Sequence, residues 1–159
     1  MKAQARTHPG LVRKENEDAF LVRKELGVFA VADGLGGHLA GEVASWLAVR
    51  TIERALEEVP SGSPRERLME AIREANRQVF LEGQTCAEHR GMGTTLTVAW
   101  LLDSNLYLGH VGDSSAYHYR RGRLRKLTQD HSLAEEMRRL GGLGPKPPAI
   151  IRSGTFSPA

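Results

Sequence analysis

The sequence predicts an α+β domain built on antiparallel sheet, and three features predict it. Strand-like segments cluster in two places, before residue 33 and after residue 91. Two amphipathic helical segments follow one another between those clusters. Elements that cluster by type, instead of alternating, argue against a strictly parallel βαβ sheet. At 159 residues, with 40% apolar and 26% charged residues, the chain is long enough for one domain with a real core.

Each element has its own signal. Lys2 to Thr7, ahead of the His8-Pro9-Gly10 turn, is predicted as a short edge strand. Ala19 to Val22 and Leu26 to Ala32 are apolar runs joined through Arg23-Lys24-Glu25, which predicts a hairpin. The first helix, Gly41 to Val59, carries Ala44, Ala48, Ile52, Ala55, Leu56 and Val59 at helical spacing. Pro60-Ser61-Gly62 ends it. The second helix opens on Ser63-Pro64-Arg65-Glu66, with Ser63 as N-cap, Pro64 at the first helical position and Glu66 closing a capping box. Its buried face is Leu68, Ile72, Ala75 and Val79, and Glu82 to Arg90 is read as a polar loop. Strands are predicted over Thr94 to Leu102, Leu106 to Val111, Ser115 to Tyr119 and Leu124 to Leu127, with turns at Asp103-Ser104-Asn105 and Gly122. Ser132 and Glu135 form a second capping box, for a helix to about Leu140. Residues 143–159 hold four prolines and no clear period, and are expected to be a poorly ordered tail.

Composition narrows the function classes. No eighteen-residue apolar run is present, so no membrane span is predicted. The N-terminus shows no apolar signal-like segment, and the single cysteine, Cys86, fits a reducing cytoplasm. The net charge of +3 comes from 22 Lys and Arg against 19 Asp and Glu. The densest basic run, Arg120 to Lys126, is read as a solvated hairpin tip, because no aromatic residues interleave with it as nucleic-acid stacking platforms do. Neither nucleic acid nor a membrane is therefore expected as a partner.

The chain is organised around Val28-Phe29-Ala30-Val31-Ala32-Asp33-Gly34-Leu35-Gly36-Gly37-His38: an apolar strand, one carboxylate, then a glycine-rich turn into a helix. Taken alone, Asp33 reads equally well as an ordinary Asp-Gly corner or as a site residue. The upstream run Glu15-Asn16-Glu17-Asp18 changes this, since the predicted hairpin places Asp18 and Asp33 at one end of adjacent strands. Two carboxylates forced together repel unless a cation lies between them. Glu17, Asp18, Asp33, Asp113 and Asp130 are oxygen donors suited to magnesium or manganese. The six histidines show neither H-E-x-x-H nor paired spacing and there is one cysteine, which argues against zinc. Arg13, five residues before Asp18, suits a phosphate oxyanion. A dinucleotide loop over Gly34-Leu35-Gly36-Gly37 fails on spacing, because the third glycine of that fingerprint falls on Leu39.

Together these residues resemble the metal-dependent protein phosphatases of type 2C, the PPM family, in its bacterial form. Five motifs stand in family order: Arg13-x-x-Asn16-Glu17-Asp18-Ala19-Phe20, Val31 to His38, Gly91-Met92-Gly93-Thr94-Thr95-Leu96, Val111-Gly112-Asp113-Ser114, and Leu127 to Ser132. The resemblance implies an α-β-β-α sandwich of two antiparallel sheets flanked by helices, with residues 1–142 as the N-terminal part of the phosphatase domain. It implies Arg13 and Asp33 as catalytic residues, with Arg13 on the substrate phosphate. It further implies Asp18, Asp33, the Gly34 carbonyl and, through water, Glu17 as holders of two Mn2+ or Mg2+ ions, with Asp33 bridging them. A third, weaker ion would be supported by Asp130, while Asp113 is read as structural, tying down its turn. The implied substrates are proteins carrying phosphoserine or phosphothreonine, the products of a bacterial Ser/Thr kinase.

Two departures qualify the likeness. Some members of the family carry a histidine where this chain has Leu35, so here the leaving-group proton is expected from water at the metals. The family domain also continues into Ser-Asp-Gly and Asp-Asn motifs, and residues 131–159 contain no aspartate. The C-terminal part of the sandwich is thus expected to be incomplete. The alternative function is a catalytically dead phosphatase-like fragment or a phosphoprotein-binding regulatory domain.

Overall fold

The computed structural model describes residues 1–36, 39–58, 61–131 and the backbone of 149–153. It contains two antiparallel sheets and two long helices, as an α+β fold requires. Strands β1 (Asp18–Arg23) and β2 (Val28–Leu35) form the predicted hairpin. Helices α1 (Leu39–Glu57) and α2 (Pro64–Thr85) follow, then a 3-10 turn at Ala87–His89. Next come β3 (Gly93–Thr94), β4 (Leu96–Leu102), β5 (Asn105–Val111), β6 (Tyr117–Arg120), β7 (Arg123–Lys126) and β8 (Ala149–Ser153). The larger sheet has the order β1-β2-β4-β5-β8, with β3 beside the end of β2; β6 and β7 form a separate hairpin.

Register divides the larger sheet into two faces. Leu21, Val28, Ala30, Ala32, Leu96, Val98 and Trp100 are buried in one core with Ala44, Ala48, Ile52 and Leu56 of α1 and Leu68, Ile72, Ala75 and Val79 of α2. Every apolar position predicted for the α2 face is buried there. On the opposite face, the ladder aligns Asp18 with Asp33 and Phe20 with Val31, and continues through Thr97, which pairs with His110. Asp18 and Asp33 therefore leave the sheet on the face away from the helices.

Local chemistry explains the element boundaries. Ser63 caps α2 through the predicted box: its Oγ accepts from Glu66 N (3.3 Å), and Ser63 N donates to Glu66 Oε2 (2.9 Å). Asp103 and Ser104 have φ of 48° and 63°, and Arg121 and Gly122 have φ of 50° and 76°, so both two-residue hairpins turn through left-handed backbone. Arg67 links the end of α1 to the sheet, donating from Nη2 to Glu58 O (3.0 Å) with its guanidinium 4.9 Å from the Trp100 ring centroid.

Several expectations need correction. Residues 1–9 form no strand; Lys2 to Thr7 lacks β-branched residues before Thr7, which is instead tied to Asn16 Nδ2 (2.6 Å). Strand β2 does not end at Ala32 but runs through Asp33, Gly34 and Leu35, because β3 supplies a pairing partner for Gly34 and Leu35. Helix α2 continues through Gly83 to Thr85, shortening the expected loop. A strand, β8, pairs with β5 within the segment where no element was expected. The helix expected from Ser132 to about Leu140 lies outside the described residues, as does most of the tail.

Candidate active site

The site is built where β1 begins and β2 ends. Asp18 and Asp33 are direct ladder partners. Gly34 N donates to Glu17 O (3.0 Å), which carries the pairing one residue past Asp18 and holds Glu17 beside the pair. Asp18 N donates to Asn16 Oδ1 (3.2 Å), so Asn16 shapes the entry to β1. Arg13 Nη1 reaches Glu17 Oε2 at 3.3 Å; the arginine side chain is 66% exposed and the glutamate 15%. Arg13 is thus anchored loosely and can turn toward an incoming anion.

Asp33 is fixed through its backbone, which leaves its carboxylate for other use. Its N–H donates to Thr95 Oγ1 (2.9 Å), and its carbonyl accepts from Thr95 N (2.9 Å) and Thr94 Oγ1 (3.0 Å). Thr95 Oγ1 also shares a hydrogen bond with Ser114 Oγ (2.8 Å), which ties the Gly112-Asp113-Ser114 turn to the same point. Thr94, Thr95 and Ser114 are the supporting residues that the sequence reading did not single out. Their signal in the sequence is the Gly93-Thr94-Thr95 and Gly112-Asp113-Ser114 runs, whose hydroxyls gain a role only once these turns meet Asp33.

Glycine brings the first turn of α1 against this strand end. A Cβ on Gly34 would overlap the Gly41 carbonyl oxygen and come within 2.8 Å of the Glu17 carbonyl. A Cβ on Gly41 would lie 2.8 Å from Glu17 Cδ. Only residues without side chains allow this approach.

Burial and the charge of Asp18 push the Asp33 carboxyl above its ordinary value; Arg13 opposes the shift, and Asp113 and Glu17 add to it. The structure thus brings Asp18, Asp33, Glu17, Arg13 and Asp113 into one electrostatic cluster. Asp113, read from sequence as a structural turn residue, also contributes charge to it. Asp130 is held by Lys126 Nζ (2.6 Å). An excess of carboxylates over one arginine, with oxygen donors only, fits Mn2+ or Mg2+. Leu35 is exposed beside the acids and carries no proton to donate.

An antiparallel α+β scaffold with opposed aspartates at a strand end and an arginine beside them is an arrangement suited to holding divalent cations together with an anion. The family model for protein phosphatase 2C matches residues 12–141, and the chain belongs to that family. It is 39% identical over 148 residues to the serine/threonine phosphatase stp of Listeria welshimeri, covering 89% of this chain and 59% of that protein. It is 35% identical over 146 residues to the serine/threonine protein phosphatase PstP of Mycobacterium tuberculosis, covering 92% of this chain and 28% of that protein. Among solved structures, the PstP catalytic domain in complex with 2 manganese ions superposes with a TM-score of 0.79 at 31% identity, over 93% of this chain and 70% of that one. The chain therefore spans about three-fifths of its Listeria relative's length.

Proposed function

We propose that this chain is the N-terminal, metal-holding part of a Mn2+- or Mg2+-dependent protein serine/threonine phosphatase, with residues 1–142 belonging to that domain. The observation that carries the reading is the ladder pairing of Asp18 with Asp33 inside a cluster of like charges. Such repulsion is relieved by divalent cations. Asp18 and Asp33 would ligate the metals directly, Asp33 between two of them. The Gly34 carbonyl would complete one shell, Glu17 would act through water, and Asp130 would serve a third ion on releasing Lys126. When bound, the ions supply an activated water and neutralise charge at phosphorus. Arg13 leaves Glu17 to grip two phosphate oxygens, orienting the phosphate for in-line attack. Thr95 and Thr94 hold the Asp33 backbone still while this occurs.

The proposed substrates are phosphoserine and phosphothreonine proteins made by a bacterial Ser/Thr kinase, in the cytoplasm, with no nucleic-acid or membrane partner. Among the described residues, no helix is long and apolar enough to cross a membrane. Manganese-dependent hydrolysis of p-nitrophenyl phosphate and of a phosphothreonine peptide tests the proposal, with Asp33→Ala as control. Turnover no higher than that control overturns it for this chain.

The loose anchoring of Arg13 also favours a second reading, a non-catalytic phosphoprotein-binding domain. Phosphopeptide binding that persists in chelator without turnover selects it; absence of binding rejects it.

A further inference from the structure

A second cluster of metal-ligating side chains lies at the C-terminal end of α2. Glu82 and Cys86 are four residues apart, hence on one side of the helix end. Cys86 caps α2, its N–H donating to Glu82 O (3.0 Å), and the 3-10 turn that follows folds back. His89 N donates to Cys86 O (3.1 Å), and Met92 N donates to His89 O (3.0 Å). Gly83 makes the return close: a Cβ there would lie 3.3 Å from the His89 carbonyl oxygen. One ligand atom each from Glu82, Cys86 and His89 lies within 4.8 Å of the other two, and all three residues are partly buried. His89 Nδ1 and Glu82 Oε1 already lie 2.7 Å apart.

The donor set differs in kind from the aspartate site. Carboxylate oxygen, thiolate sulfur and imidazole nitrogen together suit a borderline-soft ion, whereas magnesium and manganese prefer oxygen alone. The last turn of α2 carries no basic side chain, so the negative end of its dipole has no cation of its own. Sequence spacing did not reveal this group, because Glu82 to Arg90 reads as a loop and the ligands come from a carboxylate, a thiol and an imidazole rather than from a histidine pair.

We propose that Glu82, Cys86 and His89 form a three-ligand site for zinc, with the fourth position open to water or a further ligand. Bringing the three atoms into one tetrahedral shell requires only that the Glu82–His89 hydrogen bond open by a fraction of an ångström and that Cys86 close in. The site is independent of the proposed phosphatase activity.

Cobalt spectroscopy on the full chain tests it, using a phosphine reductant and an Asp33→Ala background that removes the other centre. The expected result is a thiolate-to-cobalt charge-transfer band with tetrahedral d–d absorption, both bleached by stoichiometric zinc. The charge-transfer band should be lost in Cys86→Ser, and the d–d intensity lost in His89→Gln and in Glu82→Gln, with unchanged far-ultraviolet circular dichroism. A measurement that needs no variant is the reaction of Cys86 with a disulfide reagent, which zinc should abolish and magnesium should not. Absence of a thiolate band, a band that survives His89→Gln, or full thiol reactivity in saturating zinc would each overturn the proposal.

Discussion

Asp18 and Asp33 are opposed in the β1–β2 ladder, and the structure disfavours their joint ionisation. The Asp33 carboxyl is raised by burial and by Asp18, so its charged form costs the fold something that the unfolded chain does not bear. The sign follows from linkage: this cost is absent below the ordinary aspartate pKa and grows as pH rises through the raised value. In chelator at neutral pH, Asp33→Asn is therefore expected to raise stability, and with it the melting temperature, the gain being less than about 1 kcal/mol because the site is open to solvent. Added manganese should stabilise the parent chain and not the variant, through preferential binding to the folded state. Differential scanning calorimetry with and without manganese measures both; a variant that melts lower than its parent in chelator refutes the repulsion argument.

Thr95 carries the Asp33 backbone on its hydroxyl and its amide. Thr95→Val keeps the shape and removes the acceptor for Asp33 N–H. The expected loss is about 1–3 kcal/mol of stability, the usual cost of an unsatisfied buried donor. Manganese affinity, read by titration calorimetry, should fall with it, and Thr95→Ser should restore both. Unchanged affinity in Thr95→Val would mean that Asp33 is positioned by other contacts.

How much of this was legible in the sequence depends on the range of the interaction. The Ser63–Glu66 box, the apolar stripe of α2, that of α1 from Ala44 to Leu56, and the Asp18–Asp33 juxtaposition follow from local spacing and are present; Val59, expected on the α1 stripe, lies outside the described residues. What local reasoning misses is set by distant partners. Asp33-Gly34 reads as a turn signal, yet β2 continues because Gly93 and Thr94, about sixty residues on, pair with its end. Glu82 to Arg90 reads as a polar loop, yet α2 runs on through Gly83 to Thr85, and the returning 3-10 turn packs against that glycine. The hydroxyls of Thr94, Thr95 and Ser114 were invisible as site residues for the same reason: their roles exist only once β4 and the Gly112 turn are brought to Asp33.

Gly34 and Gly109 both pack without room for a Cβ, but against different atoms. Gly34 faces the backbone of Gly41 and Glu17, whereas Gly109 faces the side-chain ends of Ile72 and Leu68. Side chains can rotate and the backbone of a helix cannot. Gly34→Ala is accordingly expected to cost about 3 kcal/mol or more and to abolish manganese binding, with Gly109→Ala nearer the low end of the overpacking range of about 1–3 kcal/mol. Chemical denaturation of the two variants ranks them; an equal or reversed order would contradict the close approach of α1 to β2.

His110 offers a pH test away from the acids. Its ring is buried, shares a hydrogen bond with Thr97 Oγ1 through Nδ1 (2.8 Å), and stacks on His131 with centroids 5.1 Å apart. Nε2 has no hydrogen-bond partner among the described residues. Burial and His131 lower its pKa; the carbonyls of Gly112 and Gln129 and the charge of Asp130 oppose this. A histidine kept neutral in the fold protonates first in the unfolded chain. Stability from this residue is thus complete above the ordinary histidine pKa and declines as pH falls toward the lowered value. Melting temperature followed from pH 8 to pH 5 should drop, and His110→Gln should flatten that part of the profile. An unchanged slope in the variant would assign the acid sensitivity elsewhere.

Phe20 and Val31 are ladder partners on the face that carries Asp18 and Asp33, and they remain 43% and 47% exposed. The helices cover the other face, so these side chains form an apolar step beside the charged site. Exposed apolar pairs on a sheet face bind hydrophobic dyes and promote self-association. The chain is expected to enhance the fluorescence of anilinonaphthalene sulfonate and to associate with rising concentration. Replacing the pair, Phe20→Ser with Val31→Thr, should reduce both signals. Stability should change by only about 0.5–1 kcal/mol, because half-exposed positions contribute less packing than core ones. Manganese titration of the same variant separates the apolar step from the acids: metal affinity should be retained, since neither side chain supplies an oxygen donor. Loss of manganese binding together with dye binding would instead show that the apolar face and the acid pair form one cooperative unit.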